Sequence, residues 1–100
     1  MDRFQVTVAP ELEPIMTRYM EIRRQELKQL EAALDAGDSD AVRELGHTLK
    51  GTGASYGFDF LTELGAAIEG AGRCQELDFA RELGKSVRDY IEHVDIIYKK

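Results

Sequence analysis

Cysteine is nearly absent from this chain. Cys74 stands alone, so no internal disulfide can form, and a reducing compartment suits the composition. Long hydrophobic runs are missing too: no apolar stretch approaches the ~20 residues that span a bilayer, and no membrane partner is expected. The opening residues "MDRFQVTV" carry neither the basic nor the apolar region of a secretory signal, so a cytoplasmic location is expected. Positive charge is in deficit, with a formal net charge of −6 and no local run of Lys and Arg, which argues against a nucleic-acid binder. One Cys and two well-separated histidines, His47 and His93, do not fill a tetrahedral metal site, so no metal is expected. The glycine-rich "GTGASYG" lacks the Gly-Lys-Ser/Thr of a phosphate loop. With no nucleotide site, no cofactor and no autonomous kinase activity are expected, and the chain does not read as an enzyme.

What remains is enough for one core. Forty-three per cent of the 100 residues are hydrophobic, which suits a single domain over residues 1–100. Apolar residues recur at three and four rather than at two, so the fold class reads as all-α. The first segment, "PELEPIMTRYMEIRRQELKQLEAALDAG", puts Leu12, Ile15, Met16, Tyr19, Ile22, Leu27, Leu30 and Leu34 on one face. Pro10 suits a first helical turn, and Pro14, lacking an amide hydrogen, marks the start of the main helix or a kink in it. Gly37 reads as a left-handed cap, with Asp38 or Ser39 capping the next helix. The second segment runs from about Asp40 to Tyr56, the third from Phe58 to Arg73 and the fourth from Leu77 to Tyr98, with Lys99 and Lys100 at its negative pole. Short loops make neighbours antiparallel, predicting an up-down four-helix bundle. Phe4, Val6 and Val8 form a short N-terminal lead-in across it, extended or briefly helical. A monomer is expected.

The stretch "GHTLKGTGASYG", residues 46–57, breaks the helical logic. A glycine inside a helix weakens it by about 1 kcal/mol relative to alanine, so Gly46, Gly51 and Gly53 together cost roughly 3 kcal/mol. A domain of this size is stable by only about 5–15 kcal/mol. On a wheel of about 100° per residue, Ala41, Val42, Leu45, Leu49, Thr52 and Tyr56 share one stripe, and His47 lies nearly opposite. It is therefore not a core histidine. Its neighbours on that outer face are Arg43, Lys50, Gly51 and Ala54, at spacings of three, four and seven. Two cations flank the ring, and the small residues leave it open to a second protein: access is what the glycines are expected to provide.

An exposed imidazole, with a reference pKa of about 6.5, is mostly an unprotonated nucleophile near neutral pH. Nitrogen attack on a phosphoryl group gives a bond suited to onward transfer, and such chemistry depends on positioning and charge neutralisation. In the third segment Phe60, Leu61, Leu64, Ile68 and Ala71 form the core stripe. Glu69 sits off it, with Gly65 and Arg73 on the same flank. Antiparallel pairing of the second and third helices brings this flank to His47, so that Glu69 accepts a hydrogen bond from the ring N–H and Arg73 adds a third cation. Gly65 reads as a close-packing position, His93 as inert, and Arg23 with Glu26 as a partly buried pair.

At these residues the chain resembles the histidine-containing phosphotransfer (HPt) domains of phosphorelays. The pattern His-x-Leu-Lys-Gly, then small residues and a Gly, a Leu four on, and Ile-Glu-x-Ala stands here as "HTLKGTGASYG", "FDFLTELG" and "AAIEGA", within residues 47–71. Gly46 replaces the alanine common before the histidine. The resemblance implies a four-helix bundle in which His47 is phosphorylated, Lys50 faces the phosphoryl group, Gly51 is the small docking position with Ala54 beside it, and Glu69 occupies the site often filled by a ring-bonding glutamine. It implies response-regulator receiver domains as partners, with a hybrid sensor kinase as a further candidate and Mg²⁺ carried by the receiver. Two other readings fit the same residues. One is a module that binds receivers without taking phosphate, towards which the charge of Glu69 leans. The other is the histidine substrate domain of a multidomain kinase. A freestanding chain is expected.

Overall fold

The computed structural model describes residues 4–99; residues 1–3 of the lead-in and Lys100 of the tail lie outside it. Strand β1, Phe4–Val8, passes through one 3-10 turn, Pro10–Leu12, into four helices: α1 Glu13–Ala36, α2 Ser39–Tyr56, α3 Asp59–Arg73 and α4 Leu77–His93. Strand β2, Val94–Tyr98, follows. The punctuation explains the boundaries. Pro14 falls at the start of α1, where its missing amide hydrogen leaves no bond unmade. Gly37, at φ 69°, closes α1 in the left-handed conformation. The Asp38 carboxylate then accepts from the Ala41 amide at 3.1 Å and caps α2.

Partner residues across α2 and α3 run in opposite order: Arg43 lies against Gly72, Gly46 against Gly65 and Glu69, and Gly53 against Thr62. Across α1 and α4, Glu31 meets Arg88 at 2.6 Å and Asp35 meets Arg81 at 3.2 Å, again antiparallel. Leu30, Val42, Leu49, Phe58, Ile68 and Val87 are wholly enclosed between the helices. Arg23 is buried as well. Its Nε lies 2.7 Å from Glu26 Oε1, and its guanidinium carbon sits 4.6 Å from the centre of the Tyr19 ring.

The four-helix bundle holds, and its ends differ from the helical pattern. The lead-in is extended, with Val6 and Val8 buried and Gln5 and Thr7 outward. The fourth helix stops at His93 instead of reaching Tyr98, because β-branched Val94, Ile96 and Ile97 take the extended conformation and pair in parallel with β1, Phe4 opposite Val94 through Val8 opposite Tyr98. Lys99 therefore lies beyond β2, where its amide donates to the Val8 carbonyl at 3.0 Å, and not at a helix end. Two residues placed in the core stripes are exposed. Ile15 sits on the edge of the α1 stripe, and Phe60 turns out to stack on Phe4 with ring centroids 5.4 Å apart.

Candidate functional site

The α2–α3 pair is built backbone to backbone. A Cβ at Gly65 would stand 2.8 Å from the Gly46 carbonyl oxygen and 2.9 Å from the Leu49 carbonyl carbon. At Gly53 it would meet the Thr62 amide nitrogen at 2.9 Å, and at Gly72 the Arg43 nitrogen at 2.6 Å. No real Cβ tolerates such distances, so these three glycines, with Gly46, whose Cβ would stand 2.8 Å from the Gly65 carbonyl oxygen, set how closely the helices approach. This corrects one reading of the sequence. Gly46 and Gly53 are buried under α3 and open nothing to solvent; only Gly51, with no atom within 4 Å of where its Cβ would be, leaves free space on the outer face. The missed signal was the seven-residue spacing on both helices, 46 with 53 and 65 with 72, which puts each pair on one face two turns apart.

That close approach seats α3's flank beside the ring. His47 projects outward with 69% of its side chain exposed, and its Nδ1 lies 3.0 Å from Glu69 Oε2. Lys50 Nζ lies 3.0 Å from the other carboxylate oxygen, Oε1, and an Arg73 guanidinium nitrogen 3.6 Å from Oε2. Glu69, itself only 13% exposed, thus faces three basic side chains with two oxygens, His47 and Lys50 at hydrogen-bond distance and Arg73 as a longer ion pair. Its carboxyl is held below the usual glutamate range, chiefly by the Lys50 hydrogen bond; partial burial works against this, and the bond to His47 adds to it. An ionised carboxylate only accepts, so Nδ1 carries the ring hydrogen and donates it. With Nδ1 engaged by Glu69, Nε2 is the ring nitrogen left for chemistry, and the arrangement offers an oriented, exposed imidazole with a cation beside it.

Of the residues singled out in the sequence, His47, Lys50, Glu69 and Arg73 come together, with Glu69 as the hub. Arg43 does not join them. Its backbone is packed against Gly72, one turn before His47, and its guanidinium forms no ion pair among the described residues. Gly51 and Ala54 are exposed one and two turns after the ring, and Ala66 of α3, which the sequence reading did not single out, is exposed as well. Arg23 with Glu26 forms the partly buried pair read from the sequence. His93 bonds within α4 to Asp89. Among the described residues no three His, Cys, Asp or Glu side chains gather as metal ligands, and no helix is long and apolar enough to cross a membrane.

The family model described as Hpt domain matches residues 15–96, which contain all four helices' packed faces and the whole His47 cluster. No curated protein and no solved structure gives a significant match.

Proposed function

The chain belongs to the Hpt domain family, a phosphotransfer module of phosphorelay signalling, and on that footing we propose that His47 is its phosphoryl carrier. Nε2 of the ring attacks the phosphorus of a receiver's aspartyl phosphate; the nitrogen–phosphorus bond forms as the aspartyl oxygen–phosphorus bond breaks, and the carboxylate leaves with the electron pair. The reverse step delivers the group to a second receiver. The observation that carries this reading is the exposed ring whose Nδ1 is engaged by Glu69 at 3.0 Å, so that Nε2 is the free nitrogen. Lys50, one helical turn away, neutralises charge on the phosphoryl oxygens, and Arg43 and Arg73 add positive potential at the rim. The open space at Gly51 and the small side chain of Ala54 admit the receiver's surface. Mg²⁺ belongs to the receiver, and the chain itself acts as a monomeric carrier in the cytoplasm.

The test mixes the chain with a phosphorylated receiver and Mg²⁺ and follows acid-labile label. Wild type takes it up and His47→Gln does not; equal labelling of the two would refute the assignment. Gly51→Gln, which crowds the outer face, slows transfer without altering the helical content. The anionic Glu69 beside the ring also fits a receiver-binding module that takes no phosphate. Tight receiver binding with no label on wild type would select that second reading. Label from ATP only through an added histidine kinase catalytic domain would instead make this a kinase substrate domain.

A further inference from the structure

Where α2 stops and α3 starts, a cleft of about 520 Å³ opens beside β1. Ligand sites span about 300–1,000 Å³, so it is of useful size. Gly57, at its edge, follows His47 by ten residues, about 15 Å along α2, so this surface stands apart from the ring. The rings of Phe4, Phe60 and Tyr90 line it, and Phe60 is 38% exposed. The backbone of β1 runs beside it. The Val8 carbonyl accepts from the Lys99 amide, so Phe4, Val6 and Val8 turn their backbone groups towards β2. Alternate residues of a paired strand turn the other way. Gln5 and Thr7 therefore point both their N–H and both their C=O groups away from β2, and no partner meets them among the described residues.

We infer that this free edge is a docking site for an extended, basic segment of a partner protein, which joins β1 as a third strand. Open edges are normally guarded by a charge, a proline or a bulge, and "FQVTV" has no charge and no proline. A two-stranded ribbon is marginal by itself, and a third strand stabilises it. Strand addition draws affinity from main-chain hydrogen bonds and specificity from the alternate side chains. Here the bonds go to Gln5 and Thr7. An apolar side chain of the segment lies on the exposed Phe60 ring, and Gly57, with nothing within 4 Å of where its Cβ would be, leaves room beside it. The charge of the partner follows from Asp59, which is exposed at the cleft and makes no ion pair among the described residues. The chain as a whole carries −6, which attracts a basic segment and repels a second copy.

The experiment titrates the ¹⁵N-labelled chain with the capped peptide acetyl-Lys-Val-Thr-Val-Thr-Lys-amide, and with its counterpart carrying Glu in place of both Lys. The expected result is movement of the Gln5 and Thr7 amide signals, slower hydrogen exchange at both, and weaker binding of the Glu peptide. Thr7→Pro removes one outward N–H while Val6 and Val8 keep the ladder to β2, and should weaken binding roughly tenfold. Asp59→Asn should weaken the Lys peptide about threefold at low salt and leave the Glu peptide no weaker. Circular dichroism and unchanged signals from α1 to α4 establish that both variants are folded. Three results overturn the inference: no movement of the Gln5 and Thr7 amides at about 1 mM peptide, equal binding by Thr7→Pro and wild type, or equal binding of the two peptides. Sedimentation showing a dimer of the free chain that Thr7→Pro dissolves would make the occupant a second copy and refute the basic partner.

Discussion

Alanine at position 65 and alanine at position 51 are the same chemical change, each at a helical glycine, and the structure gives them opposite signs. At Gly51 the new methyl meets nothing within 4 Å, so only helix propensity changes, a gain of about 1 kcal/mol. At Gly65 the methyl enters the gap against the Gly46 oxygen at 2.8 Å and the Leu49 carbon at 2.9 Å. These are backbone atoms of α2, which cannot rotate away as a side chain would, so the helices must part by several tenths of an ångström. Overpacking of this kind costs about 1–3 kcal/mol, and with rigid backbone on the far side the upper half of that range applies. Set against the propensity gain of about 1 kcal/mol, the net loss is about 1–2 kcal/mol. For a domain of this size that lowers Tm by roughly 5–15 °C, whereas Gly51→Ala raises it by roughly 4–8 °C. Thermal unfolding followed by circular dichroism at fixed concentration reads both. A Gly65→Ala protein as stable as wild type would show that the helix backbones do not touch, and the seating of Glu69 beside His47 would need another explanation.

Glu26→Gln leaves the buried Arg23 charge without its counter-ion and should destabilise by about 3–5 kcal/mol in urea unfolding, while the pair Arg23→Met with Glu26→Leu should recover most of the loss. The Tyr90 hydroxyl is buried with no hydrogen-bond partner among the described residues, and burial pushes its ionisation up to about 12. The unfolded phenol ionises near 10, so stability falls as pH rises from there towards 12. Tyr90→Phe should remove that fall and stabilise at neutral pH by up to about 1 kcal/mol. The Glu69 carboxyl, held below the ordinary value of 4.5, should titrate below that pH in a ¹³C NMR experiment. Its pairs contribute stability above 4.5 that is lost as pH falls through the depressed value, and Lys50→Met should move the midpoint back up.

The bundle and much of the site were legible because both rest on local rules. The 3.6-residue period, Gly37 and Asp38 fixed three helices to within a residue or so, and the short turn between α2 and α3 was enough to bring Glu69 to His47. What escaped depends on partners distant in sequence. Ile91, Val94 and Tyr98 keep a helical spacing, and only the presence of Phe4–Val8 beside them makes an extended chain the better choice for Val94–Tyr98. Gly46 and Gly53 were read singly, as clearings in a helix surface. Their purpose shows only when Gly65 and Gly72 are set opposite. Phe60 kept its place on the apolar stripe of α3, but at the end of the bundle the rings of Phe4 and Tyr90 draw it outward.

The parallel pairing of Phe4 with Val94 joins positions separated by nearly the whole chain. Closing so long a loop in an unfolded polymer carries a large entropic penalty, and two short strands cannot recover it by themselves. The ribbon can form only after the helices have brought its halves together. It should be the last part to assemble, and its amides should exchange with solvent by a local opening that leaves the helical bundle undisturbed.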